Sequence, residues 1–499
     1  MNTLQKNITL NRYSEQLFSE FKPVAKQFDD DTVRNRLFEN ENLLKFINNV
    51  QTVYQSVVYD DTQLNSIMSS AIHADGRFKY KYFMNDYQKT RGVDASNDYF
   101  EFTGNFNSKY MATNASHIIN NKQLFTVEFT GDVCGIHLNI RFHSDQQWFK
   151  TDSKKKVNIE LYQKVVRILR RILFVIKFFE KNVCFKDEHL VFDLFLIDSP
   201  KTLPTSRLAP LDQESINSGF TTFFNDGKNT KTIIIYRGEE MDKLVIHELI
   251  HFFFLDFKHF IINLSLVLNV SPNTEFISNE AFTEYLTIII QSGLIPIETQ
   301  FKNSNANRGV LNTTKVNIDM KLVFHHALEI LYHEIIFGYL QCAKILFQYN
   351  IKNTSDFFKP YDSNDKLFFY QKSCILSYFF IKVAMLTNID ESFLFYVSNQ
   401  TNYKIATEER VQLKLKDVMF SSLQKQDYQH NIQRALIFIN KVVFNKQVVS
   451  KINHKCKTKK KCCVKQSYER YKTRLSFKRS DKKSVKHLIL NTRMSLFEL

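Results

Sequence analysis

Apolar and polar positions repeat along this chain with two different periods. Residues 1 to about 65 carry apolar residues at helical spacing, as in Ser14 to Phe21 and Leu43 to Val53. From Arg77 to about Gln147 the period shortens to the alternation of strands. The runs are Tyr99 to Phe102, Leu124 to Phe129 and Ile136 to Phe142, with Gly104, Asn105, Gly131 and Asp132 as turn residues between them. A helix over Ile159 to Phe179 follows, with one stripe of Leu161, Val165, Ile168, Leu169 and Ile172. Its Lys164, Arg167, Arg170 and Arg171 fall largely elsewhere, which predicts a helix packed across a sheet with its charges in solvent. A membrane surface or nucleic acid is the other use of such a basic amphipathic helix. Strands are expected at Leu190 to Ile197, Phe220 to Phe224 and Thr232 to Tyr236, the first two separated by a loop through Pro200, Pro204 and Pro210. Beyond them the pattern is helical at Leu244 to Phe257, Ser278 to Leu286, Met320 to Tyr349 and Leu367 to Thr387.

The class is therefore α+β. The chain divides into a mixed N-terminal region over 1–150, strand-rich from about 77, and a sheet lobe over 151–258. A helical lobe over 259–440 and a tail over 441–499 complete it.

Chemistry concentrates in Leu244 to Phe257, which reads LVIHELIHFFFLDF. His247 and His251 are four residues apart, so on a helix both imidazoles leave the same face and can converge on one metal ion. Glu248 sits beside them, where its carboxylate can take a proton from a metal-bound water. The flanks Val245, Ile246, Leu249, Ile250 and Phe252 to Leu255 are uncharged, which predicts a helix buried through the middle of a domain. Two core histidines on such a helix are the bland alternative. A second helix begins Ser278-Asn279-Glu280 and continues through Glu284. Glu280 is the natural third ligand for a zinc held by two histidines. Glu284, one turn on, can accept the free ring N–H of a ligating histidine and fix its tautomer.

HELIH followed by NEAFTEYL resembles the gluzincin zinc peptidases, and most resembles the predicted metallopeptidases of large DNA viruses. The resemblance extends upstream through Ile216 to Thr221, Thr232 to Tyr236 and Arg237 to Glu240, and downstream to about Leu386. It implies a catalytic domain in which the zinc helix lies between a sheet lobe and a helical lobe. It implies one zinc per chain, held by His247, His251 and Glu280, with Glu248 as general base and a polypeptide as substrate. An edge strand of the sheet would receive the substrate by main-chain pairing, and Asn217-Ser218-Gly219 is where that edge is expected. The helical lobe would donate a Tyr or His to the oxyanion. The candidates are Tyr378, Tyr370, His325, His326 and His333, and Gln371 to Tyr378 resembles the family segment that carries such a tyrosine, so Tyr378 is chosen.

Composition changes this picture at one place. With 44% hydrophobic and 14% aromatic residues in 499, the chain is globular and long enough for a large core. No basic and apolar leader opens it, and no uncharged run approaches the ~20 residues that span a bilayer. Seven scattered cysteines fit a reducing, intracellular compartment. Cys456, Cys462 and Cys463, with His454 nearby, lack the spacing of a second metal site. The tail differs in kind: Lys441 to His487 holds 17 Lys and Arg against Glu469 and Asp481, which is +15 of the chain's +16. Such a run is a candidate nuclear address or a patch for nucleic acid or acidic surfaces. Two further readings stay open: an inactive gluzincin-like structural or interaction protein, for instance a viral one, and a nucleic-acid-associated protein acting through the tail.

Overall fold

A computed structural model describes residues 31–73, 111–121, 124–146, 158–180, 188–223 and 230–256 with breaks between 202 and 213, and 263–305 except 275. It further describes 319–397 with breaks between 365 and 372, 409–440, and the single residues Phe21, Ala25 and Leu496. Tyr99 to Phe102, Gly104, Asn105, Tyr370, His454, the three C-terminal cysteines and the basic run 441–487 lie outside the described residues.

Among the described residues the first named elements are helices α1 (Asp31–Glu39), α2 (Glu41–Tyr59) and α3 (Thr62–Ser69) and a short strand β1 (Ile72–His73). Helix α4 (Thr113–Asn121) precedes a hairpin of β2 (Phe125–Val133) and β3 (Ile136–Ser144). Then come α5 (Ile159–Phe179), β4 (Glu188–Leu196), β5 (Gly219–Phe223), β6 (Thr230–Ile235) and the short α6 (Met241–Phe252). Two long helices follow, α7 (Ser278–Asn305) and α8 (Met320–Gln348). A π-helical turn (Leu376–Ile381) runs into α9 (Lys382–Thr387), followed by α10 (Ile389–Val397) and α11 (Glu409–Gln424). The α+β class is thus observed.

Among the described residues six strands form one mixed sheet in the order β1-β2-β3-β4-β6-β5. The sheet is continuous across residue 150, because β3 pairs with β4 in parallel through the crossover helix α5. The β2–β3 turn falls at Cys134 and Gly135, both with positive φ, as the tightest hairpin loops require. Gly131 and Asp132, expected as turn residues, are instead paired within β2 against Leu138 and His137. Alternation sorts the sheet's faces. Ile136, Leu138, Ile140 and Phe142 of β3 point with Leu190, Phe192 and Leu194 of β4 into the main core. The opposite face carries Arg141, His143 and Asp193, and a smaller apolar cluster under α4.

Helix α5 crosses the apolar face with the bounds the periodicity predicts, its Asn158 side chain capping the N–H of Leu161. Its charges are not in solvent. Arg167 makes two 3.0 Å bonds to Asp242, Arg171 grips Glu298 and the carbonyl of Asp242, and Lys164 reaches the carbonyl of Gly238. The reason is that α6 starts with polar residues at a buried position. Asp242, taken out of water, requires charged partners, and α5 supplies them.

Every residue of α6 is buried except His251, which is partly exposed. Fully buried Ile246, Leu249 and Ile250 each contribute about 1.5–3 kcal/mol relative to exposure. Among the described residues α8 alone passes a length-and-hydropathy test for crossing a membrane, and 94% of its apolar window is buried inside the fold. Among the described residues Cys134, Cys342 and Cys374 are not joined in disulfides.

Candidate metal centre

Helices α6 and α7 meet where the two motifs face each other. The Nε2 atoms of His247 and His251 are 3.1 Å apart. Glu280 Oε2 lies 3.3 Å from the first and 3.4 Å from the second. These three residues form a group that can hold a metal ion. The other ring nitrogens are already committed: Nδ1 of His247 is 3.0 Å from Glu284 Oε2, and Nδ1 of His251 is 2.7 Å from Asp256 Oδ2. A carboxylate at Nδ1 holds the proton there in the neutral ring, so each Nε2 presents a lone pair. Two lone pairs and a carboxylate oxygen aimed at one point repel one another unless a proton or a metal ion lies among them. The donor set therefore fits a divalent metal.

The supporting charges are buried too. Lys243 Nζ donates to Glu284 Oε1 at 2.6 Å, and Lys382 lies 3.5 Å from the same oxygen. Burial pushes the Glu284 carboxyl up, but Lys243, Lys382 and His247 outweigh it and hold it well below the usual carboxylate range. Burial lowers both imidazoles, yet Glu280 and Glu284 raise His247, and Glu280 and Asp256 raise His251 further. Asn279 Nδ2 donates to the same Asp256 oxygen at 2.9 Å, so α7 braces the residue that orients His251.

Glu248 points from α6 toward β5. Thr221 Oγ1 donates to its Oε2 at 2.6 Å. A Cβ on Gly219 would stand 3.3 Å from its Oε1 and 2.9 Å from the carbonyl of Ile234, so the position has little room for a side chain. Burial lifts the Glu248 carboxyl above its ordinary value, against the pull of His247, His251 and Thr221. A raised carboxyl beside the metal residues suits an acid–base role.

β5 is the outer strand of the sheet. Tyr236 N–H donates to Ser218 O at 2.9 Å, which fixes the register just before β5. By antiparallel alternation the backbone groups of Phe220 and Thr222 then face β6, and those of Gly219 and Thr221 face the open edge. Of the three residues expected at that edge, Gly219 lies on it. Ser218 is buried with its hydroxyl on Glu240 Oε2 at 2.9 Å. Asn217 gives its carbonyl to Arg237 Nε at 2.8 Å and its side-chain oxygen to Ser373 at 2.6 Å.

Tyr378 is at the centre as well. Its hydroxyl donates to Glu280 Oε2 at 2.9 Å, and its ring centroid is 6.1 Å from that of His247. Burial, then the neighbouring Glu280, pushes the phenol well above its usual pKa, so it stays protonated. It sits on the π-helical turn, a local insertion that often marks functional sites. The histidines weighed against it are elsewhere. His325 packs on Phe38, His326 lies beside it, and His333 bonds its own helix at Glu329 O.

Over 174 residues the chain is 26% identical to a protein of Acanthamoeba polyphaga mimivirus described as "Uncharacterized protein R210". The aligned stretch is 34% of this chain and 40% of that protein. In that stretch the chain is similar to a viral protein. No protein-family profile matches the chain, and no solved structure matches it.

Three residues at the centre were not assigned roles by sequence reasoning: Asp256, Lys243 and Thr221. Asp256 follows a helix that ends at Phe252, and Phe254 turns the chain back with φ 51, so no periodicity announces it. Lys243 lies one turn before His247, and a lysine inside an apolar run was the available signal. Thr221 was within the stretch that carried the family resemblance, without a partner to give it a purpose.

Proposed function

We propose that this protein is a zinc-dependent peptidase of gluzincin type that hydrolyses peptide bonds. The observation that carries the reading is the convergence of His247 Nε2, His251 Nε2 and Glu280 Oε2, with each histidine fixed from behind by a carboxylate. A set of two histidines and one glutamate leaves a position open for water, the composition of catalytic rather than structural zinc sites. A zinc ion held by these three side chains would supply Lewis acidity to a water and to the scissile carbonyl.

The chain's own residues do the rest. Glu248 receives the proton of the attacking water and returns it to the leaving amine, and its burial-raised pKa suits both halves of that task. Thr221 holds the carboxylate against β5, so the base cannot swing away from the substrate edge. Tyr378, protonated and beside Glu280, donates to the oxygen that gains charge as the carbonyl is attacked. Gly219 and Thr221 offer main-chain groups to a peptide laid along the edge, which gives affinity without regard to side chains.

The test is to incubate the zinc-loaded protein with a proteome-derived peptide mixture and read new termini by mass spectrometry. The reading predicts cleavages that vanish with a chelator, return with zinc, and are absent in Glu248→Gln. No new termini, or equal cleavage by Glu248→Gln, overturns it.

A further inference from the structure

The substrate edge is closed at one end. Alternation along β5 turns the backbone of Gly219 and Thr221 outward, and the same alternation would turn Asn217 outward next. The carbonyl of Asn217 is instead taken by the guanidinium of Arg237, a fully buried group that also holds the carbonyls of Ser199 and Glu214. The strand therefore has no acceptor to offer a substrate at that position.

The Asn217 side chain closes the same end from the other side. Its Oδ1 accepts a 2.6 Å bond from Ser373, five residues before Tyr378. Just beyond it, Leu211 bridges to Gln371, and Leu211 N–H donates to Tyr349 at 3.4 Å. Two of these contacts join the stretch before β5 to the segment that carries Tyr378, and the third joins it to the end of α8. A Cβ on Gly219 would stand 3.3 Å from Glu248 Oε1, so this residue faces the carboxylate, and two residues of strand cover about 7 Å. An extended peptide covers the same distance in two residues. A substrate lying on β5 meets the Asn217–Ser373 contact about two residues past the bond held at Glu248.

We infer that this cleft takes peptides with a free end within about two residues of the bond it cuts, and acts as an exopeptidase or on short terminal tails. This rests on the peptidase reading and narrows it to a substrate class. The ligand chemistry is a peptide terminus at the closed end. Which terminus follows from strand direction: a substrate antiparallel to β5 puts its carboxyl end toward Asn217, and a parallel one its amino end.

The experiment compares three synthetic peptides of the same sequence, about twelve residues long: one acetylated at the amino end, one amidated at the carboxyl end, and one blocked at both. Each is incubated with the zinc-loaded full chain, and products are mapped by mass spectrometry. The inference expects cuts one or two residues from an unblocked end, at least tenfold faster than any cut in the doubly blocked peptide. The singly blocked pair identifies which terminus is read. Efficient cutting at positions four or more residues from both ends, blocked or not, overturns the closed cleft while leaving the peptidase reading standing. No cutting of any peptide overturns both. Ser373→Ala, checked for one bound zinc per chain, should shift the ratio at least threefold toward the doubly blocked peptide; an unshifted ratio removes that contact as the wall.

Discussion

Two buried histidine–carboxylate clusters lie on opposite faces of one sheet, and they differ in where their nitrogens point. Behind the sheet, His143 places Nδ1 2.9 Å from Thr126 Oγ1 and Nε2 3.3 Å from Asp193, while Arg141 holds the other side of that carboxylate at 2.9 Å. Both ring nitrogens are consumed within the protein. In front of it, His247 and His251 place Nδ1 on separate carboxylates and converge their Nε2 atoms, 3.1 Å apart, on one oxygen of Glu280. The first arrangement is complete as it stands and locks three strands together. The second gathers its donors at one point, beside the outer strand of the sheet among the described residues. Burial and unusual protonation are shared by the two clusters, so neither marks a site. What separates them is the convergence of two ring nitrogens and a carboxylate oxygen on one point.

That contrast can be broken experimentally. Glu248→Gln should retain metal and lower turnover by roughly 100- to 10,000-fold, the range for removal of a general base, measured as zinc-dependent peptide hydrolysis. On the other face, Asp193→Asn should leave metal affinity unchanged but cost roughly 3–5 kcal/mol in stability, because it strands Arg141 in the interior; urea unfolding followed by circular dichroism reads it. Asp256→Asn and Glu284→Gln, which meet the two candidate ligand histidines from behind, should weaken metal binding by about 10- to 100-fold in a competitive chelator titration. If Asp193→Asn weakened metal binding as much as Asp256→Asn, the two clusters would not be distinct.

The smallest effect concerns pH. Burial pushes the Asp193 carboxyl up, but Arg141 and His143 outweigh it and hold it below its ordinary value. A carboxyl depressed by folding contributes stability that is fully present above its unfolded pKa of about 3.9 and is lost as pH falls through the folded value. Stability should therefore drop below about pH 4 in the wild-type protein, and the drop should be shallower in Asp193→Asn, read as unfolding midpoint against pH.

Much of the fold was legible wherever one face of an element is apolar. α5 matches its expected bounds because its stripe repeats without interruption, and α8 ends within one residue of expectation. The candidate metal residues were legible because helical spacing alone puts His247 with His251 and Glu280 with Glu284. What long-range pairing decides was not. The helix expected from Leu367 begins near Ile375, since Gln371 bridges Leu211 and uses its side chain to cap the N–H of Leu376. The cationic face of α5 reads as a solvated surface until Asp242 and Glu298, remote in sequence, are brought against it. Which edge residue faces a substrate depended on one bond, Tyr236 to Ser218, and a shift of one residue would have reversed it.

The account turns on whether the front cluster holds a metal. Elemental analysis of the purified full chain, alongside His247→Ala, Glu280→Ala and His143→Ala, measures this most directly. The account predicts one zinc per chain in the native protein and in His143→Ala, and its loss in the other two variants. No bound metal in the native protein after supplying zinc, or equal metal content in all four, would contradict it.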